Sequence, residues 1–388
     1  MAPGSKTALW QLAFRPFFFF GSLYALVAVA LWLSFLFGVL PYRGHLALVT
    51  WHSHEMVFGF ASAVMAGFVL TASQNWTGLR GVHGLKLQLI FGLWALGRVL
   101  MATSPAPSAI TTLVDLGFYP LLAIYMFPYL KDPEMKVERV FFAYFAIFFA
   151  GNLLVHLDAH GILPGHSRKG ILLGLYTMVI VVIFMGGRVI PFFTESTLAK
   201  AQPKTWEPVE RLSHISAWLF LASQIFYENS LWSALIAFGA ALIHLIRLWG
   251  WQVRRVRRIP IIWVLHTAYF WLATGFAMAG LASLGLIASS ASLHAFTVGG
   301  LSIVIYGMIT RVSLGHTGRP LRPTVPIVTA YYLLIAAAVV RVFAPLISPS
   351  LHDGAVIFSG ALWIAAFFIF LVIYGPILTS PRIDGRPG

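Results

Sequence analysis

The sequence predicts an all-α, polytopic membrane protein: a bundle of about 12 transmembrane helices with the N- and C-termini both cytoplasmic. Of its 388 residues, 59% are hydrophobic and only 10% charged, with a mean hydropathy of +0.84. That balance excludes an ordinary water-soluble chain. Segments of about 20 mostly apolar residues, the length a helix needs to cross a hydrocarbon layer of roughly 30 Å, follow one another almost to the end. The lysines and arginines between them alternate in density from one loop to the next.

Proline, glycine and charged clusters divide the chain into spans at about 16-40, 51-72, 85-102, 109-130, 137-158, 170-190, 210-228, 230-250, 260-286, 291-312, 326-347 and 354-378. The first is too long for the apolar core of a signal peptide and no small-residue cleavage site ends it, so it reads as a retained span. No separate catalytic domain has room between the others, and residues 1-388 read as a single transmembrane domain. Internal repetition is weak at this level, although the count allows a six-plus-six arrangement.

Assigning each basic residue to the nearer end of its span gathers most of them on one side, from Lys6 and Arg15 through Lys131, Lys136, Arg139 and the run Arg254, Arg255, Arg257, Arg258 to Arg382 and Arg386. The opposite loops hold only Arg43, Arg168 and Lys169. The positive-inside rule makes the basic side cytoplasmic. The net charge of +14 is therefore a topology signal, with anionic lipid heads as the counter-charge and no nucleic acid needed. A missed or invented helix would scramble this alternation downstream, and it stays ordered.

Cysteine is absent, so a metal site must use His, Met, carboxylate or backbone oxygen. Ionisable groups within spans are costly unless paired or ligated, which makes the buried histidines informative. His52, His54, His156, His160 and His294 converge on the extracytoplasmic ends of different spans. His214, His244, His266 and His316 form a looser group toward the cytoplasmic side. The first group is explained either by separate hydrogen bonds to neighbouring helices or by ligation of haem iron or copper, which would satisfy several imidazoles at once. On a regular helix His52 and His54 differ by about 200°, so they cannot easily chelate one ion; His156 and His160 share a face. Glu55, Arg98, Asp115 and Asp158 lie at the same depth as this group. Arg98 could bind a haem propionate, pair with Asp115 or snorkel to the interface.

The ordered set of motifs resembles the NnrS family of haem- and copper-containing bacterial membrane proteins. The matching pieces include Phe14-Arg15-Pro16, Trp51-His52-Ser53-His54-Glu55-Met56, Gly97-Arg98, Asn152-Leu153-Leu154 with His156, Gly186-Gly187-Arg188-Val189, Trp263-Val264-Leu265-His266, Leu293-His294-Ala295-Phe296-Thr297 and Arg311-Val312-Ser313-Leu314-Gly315-His316. The resemblance covers the first ten spans. It implies haem and copper as cofactors, nitric oxide as the small-molecule ligand, an unknown electron donor, the bacterial inner membrane as location, and a role in nitric oxide metabolism or the nitrosative-stress response. It picks out His52, His54, His156, His266, His294 and His316.

Depth and geometry then assign haem and copper to His52, His54, His156 and His294, with a possible second site at His266 and His316. Glu55, Arg98, Arg188 and Arg311 are candidates for outer-shell or propionate contacts. Whether the protein turns over nitric oxide as an oxidoreductase stays open. A secondary transporter and a non-catalytic membrane sensor or assembly factor are the competing readings, and few buried carboxylates argue against ion coupling.

Overall fold

The computed structural model describes residues 8–198 and 202–385, so Lys6 and Arg386 lie outside the described residues. The protein is all-helical, a multi-pass membrane bundle. Its long helices are α1 (Phe14–Leu36), α2 (Leu48–Thr77), α3 (Gly84–Thr103), α4 (Ala109–Leu130), α5 (Val140–Ala159), α6 (Ser167–Thr197), α7 (Glu207–Phe226), α8 (Leu231–Gly250), α9 (Pro260–Ser283), α10 (Ser289–His316), α11 (Val325–Ile347) and α12 (Pro349–Thr379). Among the described residues, eleven of these are long and apolar enough to cross a membrane. The other, α7, occupies the expected span 210-228, and its first turns carry Glu207, Glu210 and Arg211, which lower its apolarity.

Local signals set the ends. Ser108 and Ser230 cap α4 and α8, each accepting a hydrogen bond from a backbone N–H three residues on, at 3.1 Å in both cases. Pro260 and the proline of Val325-Pro326 occupy first-turn positions, where a missing N–H costs nothing. Outward-facing Leu, Val, Ile and Phe along α3, α7 and α8 remain exposed, as a lipid-facing surface requires.

The helices form two compact units. Unit 1 takes the chain to Leu175, with Val312–Pro320 and the chain from Phe370 on; unit 2 takes Tyr176–Arg311 and Leu321–Ile369. In unit 1, α1 packs along α2, and Arg15 of α1 donates to the carbonyls of Leu378 and Ser380 at 2.9 and 2.7 Å. In unit 2, Phe220, Phe276 and Phe296 of α7, α9 and α10 meet edge-on or tilted, with centroids 4.8 to 5.7 Å apart, a geometry favoured by aromatic quadrupoles.

A repetition that is weak in sequence is plain in the backbone. Helix α2 begins as an ordinary helix, Leu48–His54, and loosens into a seven-residue π segment, Glu55–Ala61; α10 does the same, with Ser289–His294 followed by Ala295–Leu301. The two segments are in register at a spacing of 240 residues. At that spacing His54 matches His294, Gly59 matches Gly299, Ser62 matches Ser302, Gly67 matches Gly307, Ser73 matches Ser313, and Thr77-Gly78 matches Thr317-Gly318. Gly78 and Gly318 both adopt left-handed backbone, φ 70° and 75°, just beyond the helix. The following helices keep step, α3 and α4 being echoed by α11 and α12.

Candidate metal centre

The site lies in unit 1 and starts from the π segment of α2. His52 and His54 both precede the irregular turn, so they keep the near-opposite directions of a regular helix. His52 lies against α1, its ring stacked on Trp32 at 4.3 Å and 19°. His54 turns inward and is fully buried. Its Nδ1 is 2.8 Å from Oε1 of the adjacent Glu55, and its Nε2 is 2.8 Å from Asn152 Oδ1 on α5 and 3.3 Å from Asp115 Oδ2 on α4. His156, one turn beyond Asn152, brings its own Nε2 to 2.9 Å from the same Asp115 oxygen. One ligand atom each from His54, Asp115 and His156 thus lie within 4.8 Å of one another.

Asp115 is the node of a larger network. Asn152 Nδ2 donates to its Oδ2 at 2.7 Å, and Arg98 of α3 is paired with its Oδ1. The other terminal nitrogen of Arg98 donates to Glu55 Oε2 at 2.8 Å, and the same oxygen accepts from the Tyr24 hydroxyl. Thr112, one turn before Asp115, places Oγ1 at 3.3 Å from His156 Nδ1 and 2.9 Å from His160 Nε2. The shared face of His156 and His160 therefore meets one hydroxyl.

Gly59 makes the network possible. A Cβ there would come within 2.9 Å of the Tyr24 ring, 3.0 Å of Arg98 and 3.1 Å of Glu55. Gly59→Ala is expected to push Arg98 off Glu55 and to lower thermal stability in detergent by roughly 1–3 kcal/mol, the usual cost of overpacking. An unchanged melting curve would remove Gly59 from this role.

The charges explain what the cluster can hold. Glu55 and Asp115 bring two buried carboxylates and Arg98 one guanidinium, leaving one negative charge in surroundings where unpaired charge is costly. Asn152 gives its amide nitrogen to Asp115, so its oxygen faces His54 Nε2, while His54 Nδ1 faces Glu55. A metal cation at His54 Nε2, His156 Nε2 and Asp115 Oδ2 would supply the missing positive charge. Two imidazoles and a carboxylate suit copper, iron or zinc, and Glu55 and Thr112 stand behind the two rings as the hydrogen-bond partners that orient metal ligands.

The remaining expected site residues lie elsewhere. His294 belongs to unit 2, with Nδ1 2.6 Å from the carbonyl of Ser290 on its own helix. His266 has Nδ1 3.1 Å from the Ile262 carbonyl and Nε2 3.2 Å from that of Trp251. His316, in unit 1, packs on Phe14 with centroids 5.5 Å apart. Arg188 lies over Phe184 at 4.5 Å and Arg311 over Phe193 at 3.8 Å, so both guanidinium groups rest on aromatic rings.

Unit 2 also holds a polar chain that sequence reasoning did not assemble. Arg247 of α8 is paired with Glu210 of α7 and donates to the Tyr269 hydroxyl at 2.8 Å, which lies 2.7 Å from His244 Nδ1. Gly187, within the Gly-Gly-Arg motif of α6, leaves the space that the Arg247 guanidinium fills.

In unit 1 the residues missed were Asp115 as a ligand, Asn152, Thr112 and Tyr24. Depth within an apolar span marks Asp115, and the Asn152-Leu153-Leu154 motif marks Asn152; Thr112 and Tyr24 carry no signal in the sequence. A comparison with curated proteins returned no match. The model of the family described as NnrS protein matches residues 8–382.

Proposed function

We propose, from the premise that the chain belongs to the NnrS family, that it is a copper-binding protein of the bacterial inner membrane acting in nitric oxide metabolism or the nitrosative-stress response. The observation that carries this is the buried trio of His54, Asp115 and His156, with ligand atoms within 4.8 Å of one another. That span encloses one ion. It does not fit a porphyrin, so haem, which the family resemblance implies, is not assigned to this cluster. Both terminal nitrogens of Arg98 are engaged by Glu55 and Asp115, so Arg98 serves the cluster as counter-ion.

With the orientation read from the basic loops, the cluster faces the extracytoplasmic side. Nitric oxide, small and apolar, reaches it by partitioning into the bilayer and passing between Phe-rich helices. A bound copper ion supplies one-electron chemistry toward nitric oxide. The chain's own residues hold and shield the site: Glu55 fixes the His54 ring, Asn152 and Arg98 hold Asp115, and Tyr24 places a hydroxyl proton at Glu55. Burial of all three ligating side chains keeps bulk water out.

The test is metal analysis and electron paramagnetic resonance of the detergent-purified protein, before and after nitric oxide. Copper near one equivalent per chain, with a signal altered by nitric oxide, is expected. A chain that binds no copper after reconstitution overturns the reading. His52→Ala and His294→Ala proteins are expected to keep the copper of the His54 cluster, since neither side chain is among its three ligands; copper lost from either would mean a different ligand set. Steady consumption of nitric oxide with an electron donor would identify an enzyme, and binding without consumption a sensor.

A further inference from the structure

In unit 2, the end of α8, the turn after it, α9 and α11 enclose a groove of about 650 Å³. Its walls are apolar, with Leu245, Leu248, Trp263, Phe270 and Tyr332 among them, and Phe270 and Tyr332 are more than half exposed at its outer side. The groove therefore opens outward on the lipid-facing surface. Its floor includes His266, whose ring nitrogens lie 3.1 and 3.2 Å from the carbonyls of Ile262 and Trp251.

The mouth is basic. Arg257 lines it, and Arg254 stacks over Trp249, another lining residue, at 5.1 Å. Arg255 and Arg258 lie in the same turn, and all four arginines are exposed. An apolar trough ending at a cluster of guanidinium groups beside exposed tryptophan is complementary to one kind of molecule, with a hydrocarbon tail and an anionic head at the membrane boundary.

We infer that this groove binds an anionic glycerophospholipid, with one acyl chain along the α8, α9 and α11 walls and the phosphate between Arg257 and Arg254. The apolar wall selects the chain and the arginines select the head. Anionic lipid is thereby held at a fixed place on unit 2, in contrast with the diffuse attraction that any basic loop exerts. Guanidinium forks bind phosphate oxygens bidentately, so lysine at these positions would hold the lipid less well.

The experiment is native mass spectrometry of the full-length, delipidated protein titrated with dioleoylphosphatidylglycerol or dioleoylphosphatidylcholine. Wild-type protein is expected to retain phosphatidylglycerol in preference to phosphatidylcholine. R254Q/R257Q, two changes on an exposed turn, is expected to lower phosphatidylglycerol affinity by about thirtyfold, or about 2 kcal/mol, with phosphatidylcholine binding little changed. Thr267→Trp, which fills the trough, is expected to lower both.

Equal retention of the two lipids by wild-type protein overturns the proposal, as does a phosphatidylglycerol preference that survives R254Q/R257Q. Loss of a haem spectrum in Thr267→Trp with lipid binding intact would identify a porphyrin as the occupant and would equally overturn it. If Thr267→Trp fails to fold, the arginine pair decides alone. None of these outcomes depends on copper at the His54 cluster.

Discussion

Asp115→Asn protein is expected to be recovered from membranes folded but with copper affinity reduced by more than about 100-fold. The substitution keeps the shape of the side chain and removes the charge that both imidazoles face. Loss of an outer-shell partner alone costs about 10- to 100-fold in metal affinity, and a direct ligand costs more. Glu55→Gln, which removes the acceptor behind His54 and the charge opposite Arg98 but no ligand atom, should fall within that smaller range. Metal retained after dialysis against a graded series of chelators measures both. Full copper in Asp115→Asn under conditions that strip Glu55→Gln would invert the assigned order of ligand and support.

Arg98→Met is expected to destabilise the protein by roughly 3–5 kcal/mol, because breaking a buried charge network from one side strands the opposite charges. Here it strands two, Glu55 and Asp115, both inside the bundle. The triple change Arg98→Met, Glu55→Gln, Asp115→Asn removes the charge imbalance and should recover much of the loss. Arg98→Lys should fall between, since one ammonium cannot form the planar fork that spans two carboxylates. Thermal unfolding in a fixed detergent reads all three. A melting temperature for Arg98→Met equal to wild type would show that the pair contributes nothing to folding.

Much of this was legible in the chain, for a reason tied to the solvent. In a bilayer every polar side chain in a span must find a partner, so depth alone brings His54, His156, Glu55, Arg98 and Asp115 to one level, and pairing with Asp115 is one of the readings the sequence offers for Arg98. Depth does not say which of several groups at one level touch. His52 and His294 have the right depth, yet one stacks on Trp32 and the other belongs to unit 2. Asn152 carries no charge to mark it. The π segments were invisible because a 100° periodicity has no place for an inserted residue, and α7 lost apolarity where Glu210 reaches toward Arg247.

The two π segments separate scaffold from chemistry. At the 240-residue spacing that relates α2 to α10, the positions of Glu55, Arg98 and Asp115 are taken by Ala295, Ala338 and Ala355, all buried. Methyl groups accept no hydrogen bonds, yet the widened turn after the histidine is still there. The acid–guanidinium network therefore does not hold that turn open. What the two copies share is the histidine, the glycines, and a serine, Ser62 or Ser302, whose hydroxyl donates to a carbonyl within the widened turn. The chain thus carries its own control: one half shows the backbone with the charges, the other shows the same backbone managing without them.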